Sequence, residues 1–473
     1  MKIQILMLAG LVALHGIADC APLDARIQQL ISDGAAKRAI WGIYAEDSKG
    51  VVLADVNATR LFLPASNRKL VTAALVTSAF KADDTITTEL RVDAMNSSGV
   101  VTGDLVLHGA GDPSWEPDFL NGRSGTVKIT ELAKAAKAKG LTAVEGDLVV
   151  DTSLFNEASP TPPGWGWDQF GENYASQAAV LSINDNLVAV AMNPGGVGQP
   201  VRVTFPIGVE GFEVDNDSTT LSAGSAPTLA VERDMGGKIV RIKGGMPSGI
   251  GQQSRAVPTA NAPYIAARLL QQALEKEGIR VAGKIVVEPH KDRGDVLLAE
   301  TTGAPVAEIL KTCLEDSNNF LAESLYLLSA AKTAGRGSYT SAHQMEDAYW
   351  KRIKVDPSEI RAADGSGLSR ESNITPHALV ELLQDREKID WFVDALPVSG
   401  KTGTLRYRLS QNGMAGRVHA KTGTIDGVSA LSGYVQGNSG KTIYFSIMAN
   451  NYTSGSGPIR AKIDDIVEML ASR

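Results

Sequence analysis

Pro64-Ala65-Ser66-Asn67-Arg68-Lys69, continued by Leu70-Val71-Thr72-Ala73-Ala74-Leu75-Val76, reads as a turn, a serine at the mouth of a helix, and a lysine one turn later. Positions i and i+3 share a helical face, so the Ser66 hydroxyl and the Lys69 amine can meet. Serine becomes a nucleophile only when a base takes its proton. Lysine can be that base once desolvation or a neighbouring cation lowers its pKa. The Ser66 N–H also falls where a helix start leaves donors free, which suits an oxyanion.

Ser-x-x-Lys alone carries little, since about two copies arise by chance in a chain of this composition. Further copies stand at Ser78-Ala79-Phe80-Lys81 and Ser329-Ala330-Ala331-Lys332, where no turn precedes the serine. They read as ordinary helix positions, and the bland reading of Ser66 is an N-cap serine. The rest of the chain decides between the two.

The chain has 473 residues, 43% apolar and 21% charged, with a net charge of −7. That describes a globular protein of two or three domains and argues against a nucleic-acid surface. At the N-terminus, Lys2, an apolar run over 3–14 and then Gly16, Ala18 and Ala21 read as a secretory signal, residues 1–20, with cleavage after Ala18 or Cys20. Asp19 before Cys20 disfavours a lipoprotein. No later stretch is long and apolar enough to cross a bilayer, so no integral membrane segment is expected after signal removal. The two cysteines, Cys20 and Cys313, give no disulfide framework or zinc spacing, and Cys313 reads as a small buried hydrophobe. The six histidines make no metal spacing, so no metal or cofactor is expected.

After a short amphipathic helix over 25–36, strands over 40–45 and 51–54 form a hairpin ahead of Ser66. From about residue 83 strand-like runs between glycine turns dominate. Gly103-Asp104-Leu105-Val106-Leu107 and Gly146-Asp147-Leu148-Val149-Val150 resemble each other as turn-then-strand echoes. Loop signals, including the proline- and glycine-rich stretch 159–166, punctuate this section, and a helix over 262–277 interrupts it. From residue 302 helices return, over 306–314, 320–333, 341–352 and 377–384. Strands follow over 418–424, 428–435 and 442–449, then an amphipathic helix over 459–470. The hairpin and the last three strands complete one antiparallel sheet with helices on both sides, interrupted by the long middle section.

Two more motifs complete the set: Ser317-Asn318-Asn319 in a polar gap between helices, and Lys421-Thr422-Gly423-Thr424 on a strand. In this order they resemble the penicillin-recognising serine transferases and hydrolases. The stretch between Ser66 and Ser317 is far longer than in serine β-lactamases, and looks like the class C low-molecular-mass penicillin-binding proteins, the D-alanyl-D-alanine carboxypeptidase/endopeptidase family. His108-Gly109-Ala110-Gly111-Asp112-Pro113 resembles that family's Gly-Asp-Pro segment. Asp364-Gly365-Ser366-Gly367-Leu368-Ser369-Arg370 resembles its Asp-Gly-Ser-Gly-Leu-Ser-Arg signature, read here as structural. A second Lys-Thr-Gly, Lys401-Thr402-Gly403, follows a Pro-Val-Ser-Gly loop; the strand alternation around Lys421 favours the later copy. No Gly-x-Ser-x-Gly elbow exists.

The resemblance implies an α+β, penicillin-binding/β-lactamase-like serine transpeptidase fold, an antiparallel sheet flanked by helices with a large β-rich insertion. The expected division is a split catalytic domain, 21–82 plus 299–473, an inserted domain, 83–158 plus 254–298, and a nested domain, 159–253. It implies a periplasmic D-Ala-D-Ala carboxypeptidase and DD-endopeptidase acting on peptidoglycan stem peptides through a Ser66 acyl-enzyme, and inhibited by β-lactams. Lys69 would be the base, helped by repulsion from Lys421. Ser317 would relay a proton to the leaving amine, and Asn319 would hold the substrate amide. Lys421 and Thr422 would bind the terminal carboxylate beside Gly423, and the Thr424 N–H would join that of Ser66 in an oxyanion hole. The alternatives are a serine β-lactamase, and a non-catalytic β-lactam or muropeptide sensor. The first lacks its deacylating Glu-x-x-Leu-Asn, since Pro117 precedes Leu120-Asn121 where the glutamate belongs and Glu116 is one residue off.

Overall fold

A computed structural model describes residues 23–473 apart from 158–159, 207–211, 235–238, 260 and 290–293. The expected signal at 1–20 lies outside the described residues. Strands β1 (Ile40–Asp47) and β2 (Val52–Val56) form the first hairpin, and β3 (Val418–Ile425), β4 (Val428–Gln436) and β5 (Thr442–Asn450) end the chain. They make one antiparallel sheet in the order β3-β4-β5-β1-β2. β1 closes against β5 from Ile40↔Asn450 to Asp47↔Ile443, so the two ends of the chain meet in the middle of the sheet.

Helices cover both faces because the strands are apolar on both. On one face lie α1 (Leu23–Ile31) and the last helix, Ser456–Ala471, whose Ile459, Ile463, Ile466, Val467 and Leu470 pack on Trp41, Ile43, Leu431 and Phe445. On the other lie α2 (Arg68–Ala79), α3 (Val306–Glu315), α4 (Asn319–Ala334), α5 (Tyr339–Arg352) and α6 (Pro376–Arg386). α1 stops five residues short of the expected end. Asp33 caps a separate 3-10 turn, Gly34–Arg38, and Gly34 takes a φ of 56°, which ends the α-helix.

The insertion is built on its own five-stranded sheet. The two echoing segments are neighbours in it: strand Leu105–His108 pairs in parallel with Leu148–Asp151, Leu105 opposite Leu148. Two three-stranded sheets lie further in and share a small core of Val190, Met192, Val240, Ile242 and Val257. Strand Gln253–Pro258 pairs with Leu187–Asn193, on the nested side of the expected boundary, and strand Val296–Thr302 carries the larger sheet past residue 299. Among the described residues no helix is long and apolar enough to cross a membrane.

Candidate active site

Four segments far apart in sequence converge at the end of α2. Ser66 sits in a 3-10 turn, Ala65–Asn67, that runs straight into α2. Ala65 takes a left-handed φ of 46°, so the turn is strained where the nucleophile candidate is presented. The other two Ser-x-x-Lys copies are ordinary helix positions: Ser78 and Ser329 return their hydroxyls to the carbonyls of Ala74 and Leu325.

Lys69 Nζ lies 3.0 Å from Ser66 Oγ, 2.6 Å from Asn319 Oδ1 and 2.9 Å from the Ser366 carbonyl. The side chain is wholly buried, and burial lowers its pKa to about 8 against the pull of nearby Cys313, Asp364 and Glu323. Lys421 Nζ donates to Ser317 Oγ at 2.9 Å and to the Thr422 carbonyl at 3.0 Å. It too is wholly buried and held well below its ordinary value, by burial first and by the Lys69 charge second. The expected help from like-charge repulsion therefore falls on Lys421; for Lys69, desolvation leads.

Ser317 occupies the gap between α3 and α4 with a φ of 60°, and Asn318 caps α4 by accepting from the Leu321 N–H. Asn319, the first residue of α4, spends one side-chain N–H on the Tyr174 carbonyl at 2.9 Å. Thr424 is exposed at the edge of the sheet. Ala420 on the same strand donates its N–H outward to Pro397 O, so alternation turns the Thr422 and Thr424 N–H groups to that outer side. The Thr422 hydroxyl meets Thr404 at 2.8 Å. The second Lys-Thr-Gly thus lies beside the first, but its Lys401 is exposed and leads into a 3-10 turn, Gly403–Leu405.

Ser66, Ser317, Asn319 and Thr424 open into a cleft of about 640 Å³. Gly367, Leu368 and Arg370 of the Asp-Gly-Ser-Gly-Leu-Ser-Arg loop line one wall, and Gly164, Asp168 and Tyr174 of the insertion line another. The sequence marked 159–166 only as a loop. In the fold, Trp165 Nε1 donates to Asp364 Oδ2, which also accepts from the Ser369 N–H, and this pins the inserted loop to the catalytic side. Asp364 thus ties its own loop to the inserted one. Cys313 is buried behind the site, and burial raises its thiol to about 11. Among the described residues no group of three or more histidines, cysteines or carboxylates is arranged to hold a metal.

The insertion reaches the Ser317-Asn318-Asn319 gap a second time. Asp185, itself at a φ of 56°, accepts from Asn318 Nδ2 at 2.9 Å. Glu116 lies against Asp185, and burial, the contact with Asp185 and the charges of Asp118 and Asp316 raise its pKa. Glu116 is therefore committed to a proton-sharing pair and does not line the cleft. The folded state holds a proton here that the unfolded chain releases in the ordinary carboxylate range, so stability falls as pH rises from that range toward the raised pKa. Glu116→Gln should flatten this slope: its melting temperature is expected to fall less than the wild type's between about pH 6 and about pH 9. An identical slope in both proteins would contradict the shared proton.

A serine turn and a Lys-Thr-Gly edge strand, on an antiparallel sheet with helices on both faces, define the penicillin-binding and β-lactamase-like fold. Within it, the chain belongs to the D-Ala-D-Ala carboxypeptidase 3 (S13) family, a family of serine-type peptidases whose pattern matches residues 23–473. The chain is 31% identical over 460 residues to the D-alanyl-D-alanine carboxypeptidase of Actinomadura sp., covering 93% of this chain and 82% of that protein. It is 25% identical over 429 residues to D-alanyl-D-alanine carboxypeptidase DacB of Haemophilus influenzae, covering 88% and 86%. Among solved structures it is similar to penicillin binding protein 4 from Haemophilus influenzae, with a TM-score of 0.82 at 23% identity over 95% of this chain and 99% of that one. It also resembles a predatory endopeptidase from Bdellovibrio bacteriovorus, with a TM-score of 0.51 at 16% identity over 91% and 92% of the two chains.

Proposed function

We propose that this chain is an exported, periplasmic serine D-Ala-D-Ala carboxypeptidase and DD-endopeptidase that acts on peptidoglycan stem peptides and is acylated and inhibited by penicillin. The observation that carries the reading is the contact of Ser66 Oγ with a buried Lys69 amine whose pKa burial lowers to about 8. Family membership and the Actinomadura and Haemophilus carboxypeptidase relatives support the substrate class. In this reading the catalytic domain is split, 21–82 plus 299–473, with the two inserted modules between its halves.

Lys69 takes the Ser66 proton as the oxygen attacks the penultimate D-alanyl carbonyl. The carbonyl oxygen becomes an oxyanion between the N–H groups of Ser66 and Thr424. The C–N bond then breaks, and the departing amine receives through Ser317, which is hydrogen-bonded to Lys421, the proton that Lys69 took, so Lys69 is neutral again. Lys421 and the Thr422 hydroxyl attract the carboxylate of the leaving residue, while Asn319 holds the peptide through its remaining N–H and lone pair. Water attacks the ester, the neutral Lys69 takes a proton from it and passes that proton to the departing Ser66 oxygen, which frees the acid and regenerates Ser66. The endopeptidase reaction breaks the same D-alanyl bond with the same groups. Glu116 lies against Asp185 and is not among the residues that line the cleft, which supports a long-lived penicillin adduct over a β-lactamase.

The test is D-alanine release from a peptide ending in D-Ala-D-Ala, run beside fluorescent penicillin labelling, in wild type and Ser66→Ala. The reading expects peptide turnover and a stable adduct on Ser66, both lost in the variant. Rapid drug hydrolysis without lasting label would mean a β-lactamase. Adduct without peptide turnover would mean a sensor. Neither adduct nor turnover would sink the catalytic reading.

A further inference from the structure

A buried carboxylate that the mechanism above does not use sits one turn along α4 from Asn319. Glu323 is wholly buried, and every one of its partners is a donor. Its Oε1 accepts the N–H groups of Ser366 at 2.7 Å and Gly365 at 3.0 Å, and its Oε2 accepts the Tyr339 hydroxyl at 2.9 Å. Four acceptor sites on an ionised carboxylate suit such a set, and an apolar side chain would leave two buried N–H groups unpaired. Ser366, held by its N–H, is also the residue whose carbonyl accepts from Lys69 Nζ at 2.9 Å. The same loop is pressed onto the serine turn, for a Cβ on Gly367 would come within 1.9 Å of the Ala65 carbonyl.

We propose that Glu323 is a positioning residue for the Ser66 acylation step: by holding the Gly365 and Ser366 N–H groups it fixes Ser366 and so its carbonyl, and that carbonyl fixes the Lys69 amine on Ser66. The inference rests on the reading of Lys69 as the base. Glu323 is also a charge close to that base. It faces Lys69 from α2, Cys313 from α3, Tyr326 on its own helix, Tyr339 from α5 and Asp364 in the loop; Tyr326 in turn meets the Arg68–Glu346 ion pair. Its negative charge raises the Lys69 pKa, against the larger effect of burial. Burial and the Asp364 charge in turn push the Glu323 carboxyl up to about 7.

The experiment is the rate of acylation by fluorescent penicillin against pH, in the full chain, for wild type, Glu323→Gln and Glu323→Ala, with melting temperatures. Glutamine keeps an oxygen for the two N–H groups and turns its amide toward Tyr339, but removes the charge. The expected result is an acylation rate about tenfold lower at saturating drug, little change in apparent affinity, and an acid limb moved to lower pH because Lys69 loses a neighbouring negative charge. Alanine should cost about a hundredfold. Glu323→Gln with the wild-type rate and the wild-type limb overturns the proposal. A lower rate that tracks a lower melting temperature, with the limb unmoved, also overturns it, since that marks a purely structural staple. Should the alanine variant fail to fold, the glutamine variant alone decides. A wild type that is not acylated at Ser66 would show instead that the reading of Lys69 has failed.

Discussion

Lys69→Met is expected to slow acylation of Ser66 by about ten-thousandfold while leaving the chain folded. Methionine is unbranched and close to lysine in length, so it fills the same buried channel without a charge. What it removes is the only amine within hydrogen-bond distance of Ser66 Oγ among the described residues. Without it Ser66 is an ordinary alcohol in a strained turn, and the proposed oxyanion donors alone would supply the residual rate. The wild type should also carry a pH signature that the variant lacks. Burial lowers Lys69 to about 8, so the neutral amine, and with it the acylation rate, should climb with pH and level off near that value. The methionine variant has no such group to titrate, and its residual rate should not follow this limb. The measurement is the pseudo-first-order labelling rate with fluorescent penicillin across that range. A variant within tenfold of wild type would remove Lys69 from the role of base and leave Lys421, through Ser317, as the base to test next.

The parts of this site that could be read from the sequence are those in which a side-chain type and its spacing carry the information. Ser66 and Lys69 are one helical turn apart, and Lys421 lies in an alternating strand, so local geometry alone brings out their faces. The catalytic sheet was legible for the same reason, since β3, β4 and β5 are patterned strands separated by short turns. The contacts that escaped are of other kinds. Asn319 is oriented by the backbone carbonyl of Tyr174, and a carbonyl has no identity in a sequence. Glu323 reads as one more polar residue in an apolar helix until the 365–366 peptides are seen to fold onto it. Asp185 and Glu116 stand far apart in the chain and gain meaning only when Asn318 arrives between the two halves. The lysine charges also depend on the fold. Lys421 was expected to help keep Lys69 neutral, but burial is the leading cause for Lys69, repulsion acts on Lys421, and burial is a property of what packs around them.

Gly423→Ala should cost about a hundredfold in acylation rate although no reacting atom is touched. Gly423 lies on β3 opposite Ala430, with the serine turn directly beneath. A Cβ there would stand 2.6 Å from the Pro64 carbonyl oxygen, 3.2 Å from the Asn67 N–H nitrogen and 3.2 Å from the Ala430 side chain. None of these neighbours can yield freely. The Pro64 carbonyl accepts from the Asn67 N–H at 3.1 Å and so closes the turn that presents Ser66. β3 is fixed on its other edge, where Ala420 donates to Pro397 at 3.0 Å, and on its inner edge by the full ladder to β4. The added methyl must therefore push strand and turn apart, and these carry the N–H groups of Thr424 and Ser66, the two proposed oxyanion donors. Misplacement of such donors by about 1 Å costs on the order of a hundredfold, while overpacking at one methyl costs about 1–3 kcal/mol of stability. The variant should thus lose far more rate than fold, seen as a modest drop in melting temperature beside slow penicillin labelling. An alanine variant that labels at the wild-type rate would mean that the turn and the strand move independently. The glycine of the second Lys-Thr-Gly serves a different need: Gly403 takes a φ of 53°, and a Cβ there would stand 2.7 Å from the Glu315 carbonyl oxygen. Two identical tripeptides therefore require glycine for two reasons, and only the one at Gly423 bears on the distance between nucleophile and strand.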